Sequence, residues 1–297
     1  MSDNPLENLN LTNNFMFVKT FSQADIFEQT TTLLLGEKVT VPDKNLVEYE
    51  KISEIKYTKK GVRYDVKLGN SDKLVDMEME RILRTDDPLD KRASLYSAHM
   101  IVNSLEKGQH YKDKKDTHTI FMCDFKPFEV DSYKYDAKYV CKTSDKGIYV
   151  PYDTGDHHYF FNMTYDKDDI PKELKELFVY IKDTQERNVP ENSALINKIS
   201  ERVKFIRNSE SIKEEYNMLN LYENEIYADA LSKGEQLGEA KGILLGEAKG
   251  KLEGKLFTLI SLVRDGIIES SVAAKRLNIS EENFLSKMKE AETTIQS

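Results

Sequence analysis

At 297 residues, 39% hydrophobic and 32% charged, the chain has room for one large domain and a small one, or two modest domains, with most helices amphipathic. Its 43 Lys and Arg against 52 Asp and Glu give a net charge of −9, which excludes a broadly basic surface and leaves nucleic acid only local basic patches. Cys123 and Cys141 lack any CxxC or Cys/His neighbourhood, the opening MSDNPLENLNLTNN has no basic, apolar leader, and no apolar run is long enough for a bilayer, so no zinc site, no membrane and a cytoplasmic location are expected.

Residues 11–36 predict a helix entry and a first helix, with Phe15, Phe17, Phe21, Ile26 and Phe27 on its apolar stripes and Gly36 as C-cap. Glu28 is by its position an ordinary water-facing Glu. Residues 46–57 predict a first strand, with Val47, Tyr49, Ile52 and Ile55 alternating imperfectly.

Residues 61–80, GVRYDVKLGNSDKLVDMEME, predict a hairpin around the turn Gly69-Asn70-Ser71-Asp72. Val62, Tyr64, Val66 and Leu68 share one face and Arg63, Asp65 and Lys67 the other; Val75, Met77 and Met79 likewise oppose Asp76, Glu78 and Glu80. Pairing Leu68 with Lys73 would set Asp65 beside Asp76 and diagonal to Glu78. Like charges so placed destabilise a sheet, and a cation would remove the penalty. Such oxygen ligands suit Mg²⁺, with Mn²⁺ as the second choice. The alternative is a solvated strand face whose acids are screened by water.

Asp86-Asp87-Pro88 predicts the start of a helix running to Lys107 and closed by Gly108. Leu89, Ala93, Met100 and Ile101 form its core stripe; Arg92, Tyr96, His99 and Asn103 form a polar stripe suited to scissile phosphates, Arg92 being the fork. A structural salt bridge from Arg92 to the acidic hairpin fits the sequence equally, and a lone helical His99 is usually neither base nor ligand. YKDKK from Tyr111 to Lys115 is a short basic run, a solvated loop or a groove wall, and residues 119–125, TIFMCDF, predict a central strand buried on both faces.

These motifs carry a resemblance. Asp65, a turn, then Glu78-x-Glu80 across a hairpin resembles the metal site of the PD-(D/E)XK nuclease superfamily. Residues 11–17, LTNNFMF, with Arg92, Tyr96 and Lys107-Gly108-Gln109-His110-Tyr111, narrow the likeness to the recombination-promoting nuclease and transposase family, over most of residues 8–125. The resemblance implies an α/β (α+β) fold with a restriction-endonuclease-like core, a mixed central sheet flanked by helices. It implies a Mg²⁺-dependent DNA endonuclease linked to recombination or transposition: Asp65 and Glu78 hold the metal, Asp76 assists, Glu80 acts on the water, and Arg92, Tyr96 and Tyr111 bind substrate. Only through this resemblance is Glu28 a candidate acid near a metal. Glu80 departs from the usual Lys or Gln, and a carboxylate cannot act as an ammonium would. A catalytically impaired member, acting as an oligomeric or DNA-associated scaffold, is therefore the alternative.

Residues 133–165 look β-rich, and His157-His158 reads as a strand edge without a ligand partner at metal spacing. Pro171 opens one helix, and two more span residues 192–231, joined near Asn208-Ser209. From Gly234 to Gly254 glycine recurs every fourth residue, giving a helical ridge without side chains. That arm predicts homo-oligomerisation, the alternative being a low-complexity linker. Residues 257–297 predict a helix-turn-helix-like module whose last helix opens on Glu281 and Glu282, which suits partner packing better than DNA reading. The expected divisions are thus 1–231 for the nuclease-like domain, 232–256 for the arm and 257–297 for the module, the latter two forming an all-helical C-terminal extension.

Overall fold

The computed structural model describes residues 4–53, 62–69, 73–102, 104–105 and 107–295. They form a mixed α/β fold in two units, Met1–Met218 and Leu219–Ser297.

The first unit is built on a six-stranded sheet ordered β1-β2-β3-β4-β8-β5. Its strands are β1 (Val47–Ser53), β2 (Val62–Leu68), β3 (Lys73–Glu80), β4 (Asp116–Cys123), β5 (Lys134–Ala137) and β8 (Asp156–Asn162). β1, β2 and β3 run antiparallel in succession, β4 lies parallel to β3, β8 parallel to β4, and β5 antiparallel to β8. β6 (Val140–Lys142) and β7 (Tyr149–Pro151) make a separate two-stranded ribbon. The apolar run of β4 takes the sheet's middle and is buried from Thr117 to Cys123, as a strand covered on both faces must be.

Helix α3 (Leu89–Val102) connects β3 to β4 and packs Leu89, Ala93, Tyr96 and Met100 against Val62, Tyr64, Phe121 and Cys123. Met77, Ile120 and Met122 alternate with that set and are fully buried too, so the opposite face is also covered. Helix α1 (Asn14–Phe21) packs on β2, and α5 (Ala194–Asn208) packs on α1 and α2 (Ala24–Leu35). The expected first helix is therefore two, parted at Ser22 and Gln23, with Gly36 closing α2 at φ 73° as an αL cap. α3 ends at Val102 instead of Lys107; Gly108, at φ 98°, lies in the turn beyond. Asn103, the turn residues 70–72 and the last residues of the expected first strand lie outside the described set.

His158 is not at an edge, whereas His157 lies one residue beyond the reach of β5. β8 sits between β4 and β5, so His158 is buried, with Nε2 3.2 Å from Ser97 Oγ, and His157 stacks on His118.

α4 (Lys172–Lys182) anchors the loop that leads into α1: Thr184 just beyond it accepts the Leu11 N–H at 2.8 Å and donates to Tyr180 O. In the second unit the expected boundaries at 231 and 256 both fall inside one 55-residue helix, α6 (Glu210–Arg264), which begins in the first unit. α7 (Ser270–Leu277), Asn278 at φ 59° and α8 (Glu281–Ile295) follow, closing a small core of Leu259, Ile260, Ala273, Ala274 and Phe284. Among the described residues no helix is long and apolar enough to cross a membrane.

Thr184→Val keeps shape but leaves the buried Leu11 N–H unpaired. Urea unfolding is expected to show a loss of roughly 1–3 kcal/mol, with Thr184→Ser close to wild type.

Candidate functional site

β2 and β3 pair Leu68 with Val75, Lys67 with Asp76 and Val66 with Met77. The pairing expected from the turn is thus wrong by two residues, and Glu78, not Asp76, comes level with Asp65. A two-residue slip leaves every side chain on its own face, so the hydrophobic pattern could not detect it. What decides it is β4: Lys73 and Leu74 pair with Asp116 and Thr117, and Leu74 is buried against the α3 cluster.

Beyond Val66 the ladder gives way to side chains. The Asp65 N–H donates to Glu78 Oε1 at 2.8 Å, and the Met79 N–H donates to Asp65 Oδ2 at 3.1 Å. The alternation also shifts here. Val62 and Tyr64 face α3, as do Glu78 and Glu80, whereas Val66 stands opposite Met77, one step out of phase with Glu78. The expected single apolar face of β2 therefore breaks at Asp65, and the break turns its carboxylate into the gap between the strands.

Asp65, Asp76, Glu78 and Glu80 are all buried, Asp76 at 0% exposure. One guanidinium serves them: Arg92 Nη2 lies 2.5 Å from Glu80 Oε1 and 3.8 Å from Glu78 Oε2. Arg92 Nη2 also donates to the Tyr96 hydroxyl at 3.4 Å, and that hydroxyl donates to Arg63 O. Asn14, with its amide oriented to donate, reaches both Asp65 oxygens at 3.1 and 3.2 Å. Neither oxygen of Asp76 has a hydrogen-bond donor among the described residues other than the neighbouring Glu78 carboxyl, with which it shares a proton when one of the two is protonated. Lys67, level with Asp76 on β2, is held instead by Glu48, at 3.2 Å.

The electrostatics follow from this shortage of positive charge. Burial pushes Asp65 up to about 6, against the opposing Met79 N–H. Burial holds Asp76 well above the usual carboxylate range against the opposing hydrogen bond with Glu78, and burial, then the charges of Asp76 and Asp65, does the same to Glu78. Burial alone would lower Arg92, but its bond to Glu80 outweighs that and raises it.

Six of the seven expected site residues thus meet: Asp65, Asp76, Glu78, Glu80, Arg92 and Tyr96. Tyr96 is buried in the α3 cluster and reaches the site only through its hydroxyl. Tyr111 is 95% exposed and precedes the end of β4 that pairs with Lys73, the opposite end of β3 from Glu80. Glu28 accepts the Val41 N–H at 2.7 Å, a structural duty. His99 is buried and its pKa lowered by desolvation. Asn14 was not anticipated, although a signal exists: of the pair Asn13-Asn14 only one can cap α1, and Asn13 does so by accepting the Met16 N–H.

Comparison with protein-family models, curated proteins and solved structures gives no match. The case for a cation therefore rests on chemistry. The donors are all hard carboxylate oxygens, which suit Mg²⁺ or Mn²⁺, and the two Asp76 oxygens, with no donor but the Glu78 carboxyl among the described residues, are the kind a cation satisfies. Among the described residues no three His, Cys, Asp or Glu side chains already converge as a closed ligand set. Arg92 stands on the acidic face, as the salt-bridge alternative had it, so a second cation requires Glu80 to turn from Arg92 toward the gap.

Groups whose folded pKa is raised, as for Asp65, Asp76 and Glu78, contribute stability below their unfolded values that is lost as pH rises through the folded ones. His118, lowered to about 4 chiefly by burial, pulls the opposite way between pH 4 and 6.5, so the comparison must be with a variant. Without divalent metal, Asp76→Asn is expected to match wild type near pH 4 and to melt higher at pH 8, by roughly 3 °C or more.

Proposed function

We propose that the chain is a divalent-metal-dependent DNA endonuclease, hydrolysing phosphodiester bonds at the junction of β2 and β3, and linked to recombination or transposition. One observation carries the proposal: four buried carboxylates gather around the Arg92 guanidinium, and among the described residues no backbone, amide or cationic group donates to either oxygen of Asp76. A mixed sheet flanked by helices is also the architecture implied by the PD-(D/E)XK likeness, and a restriction-endonuclease-like core is part of the proposal.

Asp65 and Glu78 would hold the cation, with Asp76 assisting. A bound Mg²⁺ or Mn²⁺ supplies a water of lowered pKa and stabilises charge on the scissile phosphate. Asn14 and the Met79 N–H fix the Asp65 carboxylate, so its geometry does not depend on the substrate. Glu80 orients or deprotonates the attacking water after leaving Arg92. Arg92, steadied by the Tyr96 hydroxyl, then offers its planar fork to phosphate oxygens. Tyr111 has no part in this arrangement.

A second reading has its own support. Arg92 paired with Glu80, on a face where the described residues form no group of three ligands that could hold a metal, suits a catalytically impaired scaffold. A supercoiled-plasmid assay in Mg²⁺ or Mn²⁺ separates the two. Wild type is expected to nick or linearise the plasmid, and Asp65→Ala and Glu78→Gln to lose at least ~100-fold, in line with removal of a metal ligand. Cleavage that survives Asp65→Ala, or none by wild type in either ion, contradicts the endonuclease.

A further inference from the structure

The second unit poses a different problem. Every described side chain from Leu221 to Lys255 on α6 is exposed, Leu237 at 63% and Leu244 at 66%. Six glycines fall in this stretch, each costing about 1 kcal/mol against alanine in a helix, and nothing lies within 4 Å of where a Cβ would stand on any of them. A helix so weakened needs a partner along its length.

One face of the arm says which partner. Leu237, Ala240 and Leu244 follow one another at helical spacing and form an apolar centre. Continuing along the same face, Lys233 and then Asp229 lie on the N-terminal side, Glu247 and then Lys251 on the C-terminal side. The order along the face is therefore negative, positive, apolar, negative, positive. Turned end for end about Ala240, Asp229 comes level with Lys251 and Lys233 with Glu247, because each pair is equally far from that residue. In parallel register each of the four charges would meet itself.

We propose that α6 pairs with α6 of a second copy of this chain, antiparallel and centred on Ala240, with the apolar centre buried between two crossed charge pairs. Within one chain Lys233 already pairs with Asp229 at 2.6 Å, so the second copy extends that pair into a four-charge network instead of rescuing isolated ions. The crossed charges set orientation and register more than affinity. None of this depends on the endonuclease reading, since it uses only residues of the second unit.

Sedimentation or light scattering on the full chain tests it, because the four charged positions are exposed and their exchange leaves the fold alone. Wild type is expected to be dimeric at about 50 μM. Reversing one end, Glu247→Lys with Lys251→Glu, places like charges together and is expected to weaken the dimer at least 10-fold. Adding Asp229→Lys and Lys233→Glu restores complementarity and is expected to recover wild-type association. A monomeric wild type, a dimer indifferent to the one-ended reversal, or a four-fold variant that stays dissociated would each overturn the proposal.

Discussion

Four carboxylates buried around one guanidinium are the constraint on which the first unit turns. Taking an ionised carboxylate out of water is costly unless it is paired or neutralised. Here Arg92 takes Glu80 and leans on Glu78, two backbone N–H groups and the Asn14 amide take what they can, and among the described residues Asp76 has only the Glu78 carboxyl to bond with. The remaining charge is suppressed by raised pKa values. A sheet selected only for stability would place apolar side chains there, since replacing a buried ionic cluster by apolar residues is often neutral or favourable. The rest of the fold keeps the cluster in place. α3 delivers Arg92, α1 delivers Asn14, and the fully buried β4 fixes the register of β3.

The parting of β2 and β3 gives that cluster its shape. In an uninterrupted antiparallel ladder the Asp65 and Met79 N–H groups would meet backbone carbonyls. Here they meet carboxylates, so each acid is bound to the opposite strand's backbone instead of projecting freely. Asp65 and Glu78 are thus tied to backbone, while Glu80 is tied to the Arg92 side chain. That contact sets a guanidinium from the neighbouring helix directly against Glu80.

Much of this was legible in the sequence. The alternation in residues 61–80 showed which acids gather, the Asp87-Pro88 signal placed the start of α3 and so Arg92, and the apolar run at 119–125 marked the central strand. Three things were hidden, each for a physical reason. Register escaped because a two-residue slip preserves both faces. The phase change at Asp65 escaped because it arises from side chains replacing backbone rungs, which no periodicity records. The burial of Tyr96 escaped because a tyrosine on a polar stripe and a core tyrosine with a bonded hydroxyl look alike in sequence. On the arm the glycine period drew the eye, yet the charges spaced evenly about Ala240 say more about a partner.

The most direct measurement is a calorimetric titration of Mn²⁺ into the full chain at pH 7.5, repeated in two buffers of different ionisation enthalpy. Burial disfavours the ionised forms of Asp76 and Glu78 that a cation requires, so any proton that binding displaces shows as a difference between the buffers; wild type is expected to bind, and Asp65→Ala to lose the binding. No binding at millimolar Mn²⁺, or an identical titration by Asp65→Ala, would contradict a divalent ion at this junction.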